Sequence, residues 1–342
     1  MLHAVHGNRR IWKYTCFASL LVAVLAILSL GPYLTESTNV VKLRNALLLR
    51  DGVNTDFDWT SANVPADFKL EQGPIDPFFV EIADRLGLAD LPGDWERTVA
   101  ISSHLLRSRV KAGGGAIRSD LRRTYERITL QGDGYCGDFV RVFTAIATAG
   151  GMQVRNWAFS FDGFGGHGHI WPEVWNRQLQ RWQLVGVFNN YYFFEEPGVP
   201  LSALAFREAL LVDSKTLKLA PIDPSSRVGW VHEEKAWSYY RRGLAQWYMW
   251  WGNDVFTYDA APLVRLFAGR SRPLEQFAGI VQAVSPRLQV LRTPDNQQHL
   301  DALERLKRHV WAVIVVVMMA SMVIAVSLWR WRPWQPLPGR AA

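Results

Sequence analysis

Two stretches of this chain have no polar face at any helical or strand period. Tyr14 to Leu30 reads YTCFASLLVAVLAILSL without a charge, and Val310 to Trp329 reads VWAVIVVVMMASMVIAVSLW. As a helix, each is long enough to cross a hydrocarbon core of about 30 Å with modest mismatch. A cleaved signal peptide is the other reading of the first run. That run exceeds a usual signal h-region, however, and no A-x-A-like site follows before Gly31-Pro32. Two transmembrane helices, over 14–31 and 310–329, are therefore expected.

Between them the pattern changes. Residues 51–77 mix Asp, Asn, Pro and Gly with isolated aromatics, so 32–93 is expected to be a membrane-proximal segment, irregular and partly helical. Residues 94–110 and 117–130 read as helices divided by Gly113-Gly114-Gly115. Phe139, Val142, Phe143, Ile146 and Ala147 then follow the i, i+3, i+4, i+7, i+8 spacing of an amphipathic helix that starts at Cys136 and stops at Gly150-Gly151. Within 152–161, Trp157, Phe159 and Phe161 alternate as on a half-buried strand. His169–Trp175 and Trp182–Phe188 read as two further strands joined by the polar NRQLQR. A helix followed by an antiparallel meander puts 94–195 in the α+β class. Residues 196–308 read as a mostly helical, aromatic-rich extension, in which WSYYRRGLAQWYMWWGNDVF is expected to be core or a lipid-facing surface.

The 38 basic and 31 acidic residues leave a net charge of +7, but Lys and Arg are scattered without a basic stripe, which argues against a nucleic-acid partner. The same charges orient the chain. Lys and Arg beside a span favour the cytoplasm, so Arg9, Arg10 and Lys13 put residues 1–13 inside. Arg330 and Arg332 put the tail 330–342 on the same side, with Lys307 and Arg308 pulling weakly the other way. Residues 32–308 are then expected on the outer, periplasmic side of a cytoplasmic membrane. The chain has 2 cysteines, and Cys16 lies inside the first span. Cys136 therefore has no disulfide partner in its oxidising compartment and stands out as a candidate reactive thiol.

Cys136 lies in GDGYCGDF, at the start of its helix. Unpaired N–H groups and the helix dipole favour a thiolate there, and the flanking glycines let a substrate approach the backbone. A partner histidine must come from an element packed beside that helix. In GGHGHIWPEVW only His169 begins the strand, on the face it shares with Trp171, Glu173 and Trp175. A helix bearing Cys followed by a strand bearing His is the arrangement a Cys–His pair requires. The neighbours carry plainer expectations: His167 a turn residue, Asp133 a helix cap, Asp138 a solvated first-turn charge. Glu173 is expected in a structural hydrogen bond or ion pair, and Trp171 over the pair as a cover against water. One cysteine with H-G-H completes no zinc site, so neither metal nor cofactor is expected.

Over about residues 94–195 these residues resemble the transglutaminase-like superfamily, whose members share a papain-like Cys-His-Asp site. Gly134-Tyr135-Cys136 and the helix closing at GGMQVR resemble its cysteine motif, and His169-Ile-Trp171-Pro-Glu173-Val its H-x-W-x-E-V motif. Trp182 matches the tryptophan of the next strand. The resemblance implies a papain/transglutaminase-like core with flanking helices, Cys136 as nucleophile and His169 as general base and acid. The family's aspartate falls four residues after that tryptophan, where this chain has Gly186. Asn189 is the expected substitute, holding the imidazole tautomer as an asparagine does in papain-like proteases, with Asn190 as second choice. Pro172 is a smaller departure, tolerated on an edge strand or at a bulge.

The implied activity is that of a membrane-anchored cysteine enzyme acting on protein or peptide amide bonds outside the cytoplasm, as a peptidase, amidase or acyl transferase. Its alternative is a catalytically impaired domain that binds an envelope polymer or serves envelope or exopolysaccharide assembly.

Overall fold

The computed structural model describes residues 2–51, 55–108, 115–117, 119–230 and 232–331. Gly113, Gly114, residues 109–110 of an expected helix, and Arg332 with the rest of the expected tail lie outside the described residues. The helices are α1 (Leu2–Leu28), α2 (Gly31–Leu34), α3 (Ser37–Leu48), α4 (Pro77–Arg85), α5 (Asp94–Leu106), α6 (Leu121–Gln131), α7 (Cys136–Ala149), α8 (Ala203–Leu211), α9 (Glu233–Arg242), α10 (Val255–Ala260), α11 (Pro262–Phe267), α12 (Arg272–Val281) and α13 (Gln297–Trp331). The strands are β1 (Val154–Ser160), β2 (Gly168–Asn176), β3 (Arg181–Leu184), β4 (Tyr191–Phe194), β5 (Lys218–Pro221), β6 (Trp247–Trp251) and β7 (Arg287–Val290). The chain forms two compact units, residues 1–47 with 301–342, and residues 48–300.

In the first unit, α1 over Arg9–Leu28 and the helix within Pro294–Trp331 are each long and apolar enough to cross a membrane. They run antiparallel. Ser29 Oγ lies 2.9 Å from His309 Nε2 at one end of the pair. At the other end the Phe17 and Trp331 rings are 6.3 Å apart and the Arg330 guanidinium is 6.0 Å from the Trp12 ring. Lys13 and Arg330 thus lie at one end of the pair, whereas Lys307 and Arg308 flank the second run at the other end, beside His309. Leu21, Leu25, Leu28, Met318, Met322 and Trp329 point outward, the pattern of helices solvated by lipid.

The second unit is α+β. Its main sheet has five strands in the order β3-β2-β1-β6-β7, each pair antiparallel. Strand alternation sorts β1 and β2 between two cores. Val154 and Val174 face the helical layer, packing with Phe139, Val142, Phe143 and Ile146 of α7. Trp157, Phe159, Trp171 and Trp175 face the other side, with Trp182, Trp247, Phe206 and Tyr240. Each fully buried Phe, Val or Ile of α7 contributes about 1.5–3 kcal/mol of transfer free energy, and the helix is buried nearly all round. β1 is therefore buried on both faces, not half-buried as its alternation suggests. Residues 196–308, expected to be mostly helical, also supply β5, β6 and β7. β6 pairs with β1, so the aromatic run around Trp247 is an inner strand of the sheet.

Candidate active site

α6 ends at Gly132, whose φ of 66° supplies the left-handed cap, and Gly134 at φ 110° turns the chain into α7. Asp138 locks this turn. Its buried carboxylate accepts from the Tyr135 N–H at 2.9 Å and the Ile117 N–H at 3.1 Å. Asp138 is thus the reach-back half of a helix cap and not a solvated charge. Asp133, expected to be the cap, instead pairs with Arg127 and accepts from the Gly115 and Gly134 N–H groups.

Cys136 opens α7 and is half-buried. The backbone N–H groups of Gly137 and of Ile170, the residue after His169, favour its charged form. The Ile170 N–H is available because β3 pairs only with Glu173–Asn176, leaving one edge of the first half of β2 open. Pro172 belongs to the same arrangement. Its carbonyl accepts from the Val185 N–H on the β3 side, so its missing N–H falls on that side too and costs the ladder with β1 nothing. β2 is inner in the strand order, but Pro172 precedes its ladder with β3 and so stands on a locally open edge. Burial pushes the Cys136 thiol above its ordinary pKa, the Asp138 charge adds to that, and the donated N–H bonds oppose it. Desolvation therefore outweighs the helix start.

His169 is buried among rings. Trp171 meets it edge-on at 5.0 Å between centroids, with Phe159 and Phe188 at 6.1 Å, Tyr239 at 6.0 Å and Tyr240 at 6.4 Å. Phe188 also packs 5.5 Å from Phe139 of α7. Phe188 thus links the His169 ring to α7, the helix that Cys136 opens.

The third position is different. A Cβ on Gly186 would stand 2.5 Å from the Tyr191 carbonyl oxygen, and Gly186 N–H donates to that same oxygen at 2.8 Å. No aspartate fits there. The strand predicted over Trp182–Phe188 ends at Leu184 for the same reason, since the chain turns back at Gly186 towards β4. Asn189 is buried and donates through Nδ2 to Tyr240 Oη at 3.3 Å. Asn190 is committed elsewhere: Nδ2 donates to the carbonyls of Asp223 and Val228, and Oδ1 accepts from the Asp223 N–H.

Glu173 holds Arg155 inside the aromatic core, and His167 is an exposed turn residue 3.6 Å from Asp162. Sequence reasoning missed Tyr239 and Tyr240 of α9, which wall the site from outside the expected core. Tyr239 Oη donates to the Gly168 carbonyl at 3.3 Å. Burial pushes both phenols up, Tyr240 to about 12. The signal was present in the i, i+3, i+4 spacing of Ala236, Tyr239 and Tyr240. Comparison with protein-family models, curated proteins and solved structures finds no match for this chain.

Proposed function

We propose that this chain is a transglutaminase-like cysteine enzyme with a papain-like core, anchored by two membrane helices and acting on amide bonds outside the cytoplasm. The observation that carries the reading is the Cys136 thiol at the first turn of a buried helix, against the backbone N–H that follows His169. In this reading His169 works as a general base. It takes the sulfur's proton as the sulfur attacks the amide carbon, the C–S bond forms, and the carbonyl electron pair moves to oxygen. Backbone N–H groups at the start of α7 receive that oxyanion. Collapse breaks the C–N bond, the imidazolium protonates the leaving amine, and a thioester remains. Water or a second amine then resolves it, with His169 taking the nucleophile's proton and returning one to sulfur. Asn189 orients the imidazole through Oδ1, since its Nδ2 serves Tyr240. The substrate is a protein or peptide amide, and the acceptor decides between hydrolase and transferase.

The filled space at Gly186 and the raised thiol pKa favour a second reading, a module that binds an envelope polymer without turnover. Single and double replacements separate the two. In an enzyme, Cys136→Ala and His169→Ala each remove nearly all amide cleavage, and the pair together costs little more. Equal activity of parent and Cys136→Ala, alongside retained polymer binding, would support the module. The same proposal puts residues 32–308 on the periplasmic side. A reporter fused after Ala342 should then behave as cytoplasmic and one inserted near Gly114 as exported, and the reverse pattern would overturn the orientation.

A further inference from the structure

We propose that the α11–α12 hairpin is a membrane-docking element that lies in the headgroup region of an anionic bilayer. On α12, Leu274, Phe277 and Val281 recur at i, i+3 and i+7 and are 49%, 52% and 60% exposed. On α11, Leu263 and Leu266 add residues 40% and 50% exposed. An amphipathic helix ordinarily turns such a stripe to the core. Here the inward face of α12 is Glu275, Ala278 and Gly279.

The order cannot be exchanged by rotating the helix. Glu275 is buried, pairs with Arg272 at 2.8 Å and accepts from Tyr258 Oη at 3.2 Å. A Cβ at Gly279 would stand 2.6 Å from the Tyr258 ring. The outward apolar stripe is therefore built in.

Charge selects the occupant. Arg265 and Arg270 are exposed, whereas the hairpin's acid, Glu275, is sealed inside. An apolar face with a basic rim is the signature of an interfacial helix, and anionic headgroups attract such a rim. The chain brings a bilayer within tether range of this hairpin, because it carries two helices long and apolar enough to cross one. α10, which precedes the hairpin, is tied to α7 by Arg141 and Asp259 at 3.4 Å. Docking would therefore hold the Cys136 helix near lipid.

The proposal rests on reading α1 and α13 as spans, and the test separates the two. The full chain carrying Cys16→Ser and Cys136→Ser is placed in nanodiscs of mixed anionic and zwitterionic lipid. An environment-sensitive fluorophore is attached through Phe277→Cys, Val315→Cys or Leu179→Cys, one at a time. Nitroxide lipids should quench most of the emission at position 277 and at 315, and leave 179, in the exposed β2–β3 turn, unchanged. Removing anionic lipid, or combining Arg265→Glu with Arg270→Glu, should weaken quenching at 277 alone. Quenching at 315 without quenching at 277 overturns docking and leaves the spans standing. Loss at both positions removes the spans and the proposal with them. A label at 277 that is shielded from water yet untouched by nitroxide lipid identifies a protein cover, such as a second copy, and also overturns it.

Discussion

Removing the carboxylate of Glu173 should unseat the aromatic side of the sheet. Arg155 and Glu173 are 1% and 0% exposed. Glu173 accepts from Arg155 Nε at 2.5 Å, from Trp157 Nε1 at 2.8 Å and from the Ala203 N–H at 2.6 Å. The Arg155 guanidinium lies 4.2 Å from the Trp182 ring and 4.8 Å from the Trp59 ring, and Nη1 donates to the Phe57 carbonyl. Burial pushes Arg155 down and the Glu173 charge holds it up. Glu173→Ala thus leaves a buried cation without its counter-ion, a loss of about 3–5 kcal/mol. The upper end is expected because two further donors lose their acceptor. For a unit of this size about 2–4 °C of Tm accompanies each kcal/mol, so a drop of about 6–20 °C is expected. The assay is tryptophan emission during heating of the full chain in detergent. Arg155→Met combined with Glu173→Leu should recover most of the loss, since apolar replacements of similar volume substitute well for a buried pair. A Glu173→Ala variant melting within about 2 °C of the parent would refute the reasoning, because it would mean water reaches the pair.

Gly186→Asp should cost about 1–3 kcal/mol by forcing a side chain into the Tyr191 carbonyl, without acidifying Cys136; a stable variant with a lower thiol pKa by titration would contradict this. His104 Nε2 lies 2.8 Å from Tyr125 Oη, and burial, with Arg107 and Arg85 nearby, lowers its pKa. The unfolded chain takes up that proton near pH 6.5 while the folded one resists, so stability should fall as pH drops below about 6.5 until the folded pKa is passed. His104→Gln should flatten that part of a Tm-against-pH curve, and an unchanged slope would remove His104 as its source.

Local periodicity made α7, β1 and the start of β2 legible in the sequence, because each pairs a clear hydrophobic spacing with a glycine stop. It also placed Cys136 at a helix start and His169 at a strand start. What it missed depends on distant contacts. Trp247–Trp251 is apolar at nearly every position, so no alternation marks it as a strand, and only its pairing with β1 does so. The aromatic wall of Tyr239 and Tyr240 comes from a helix far along the chain. Gly186 read as a missing acid, whereas the fold uses it for a close backbone approach. Asp138 carries the same kind of lesson, since its burial depends on Ile117 crossing the turn.

The central claim is that Cys136 and His169 act as one unit, and the pH-resolved labelling of Cys136 by an amide-bearing epoxide tests it most directly. The full chain and its His169→Ala variant are labelled at neutral pH, with a small alkylating agent at alkaline pH as the control for access. Because His169 removes the thiol proton in this account, the variant should lose about 10²-fold or more in rate. The alkylating agent should label both proteins at high pH. Equal epoxide rates in parent and variant would contradict the account.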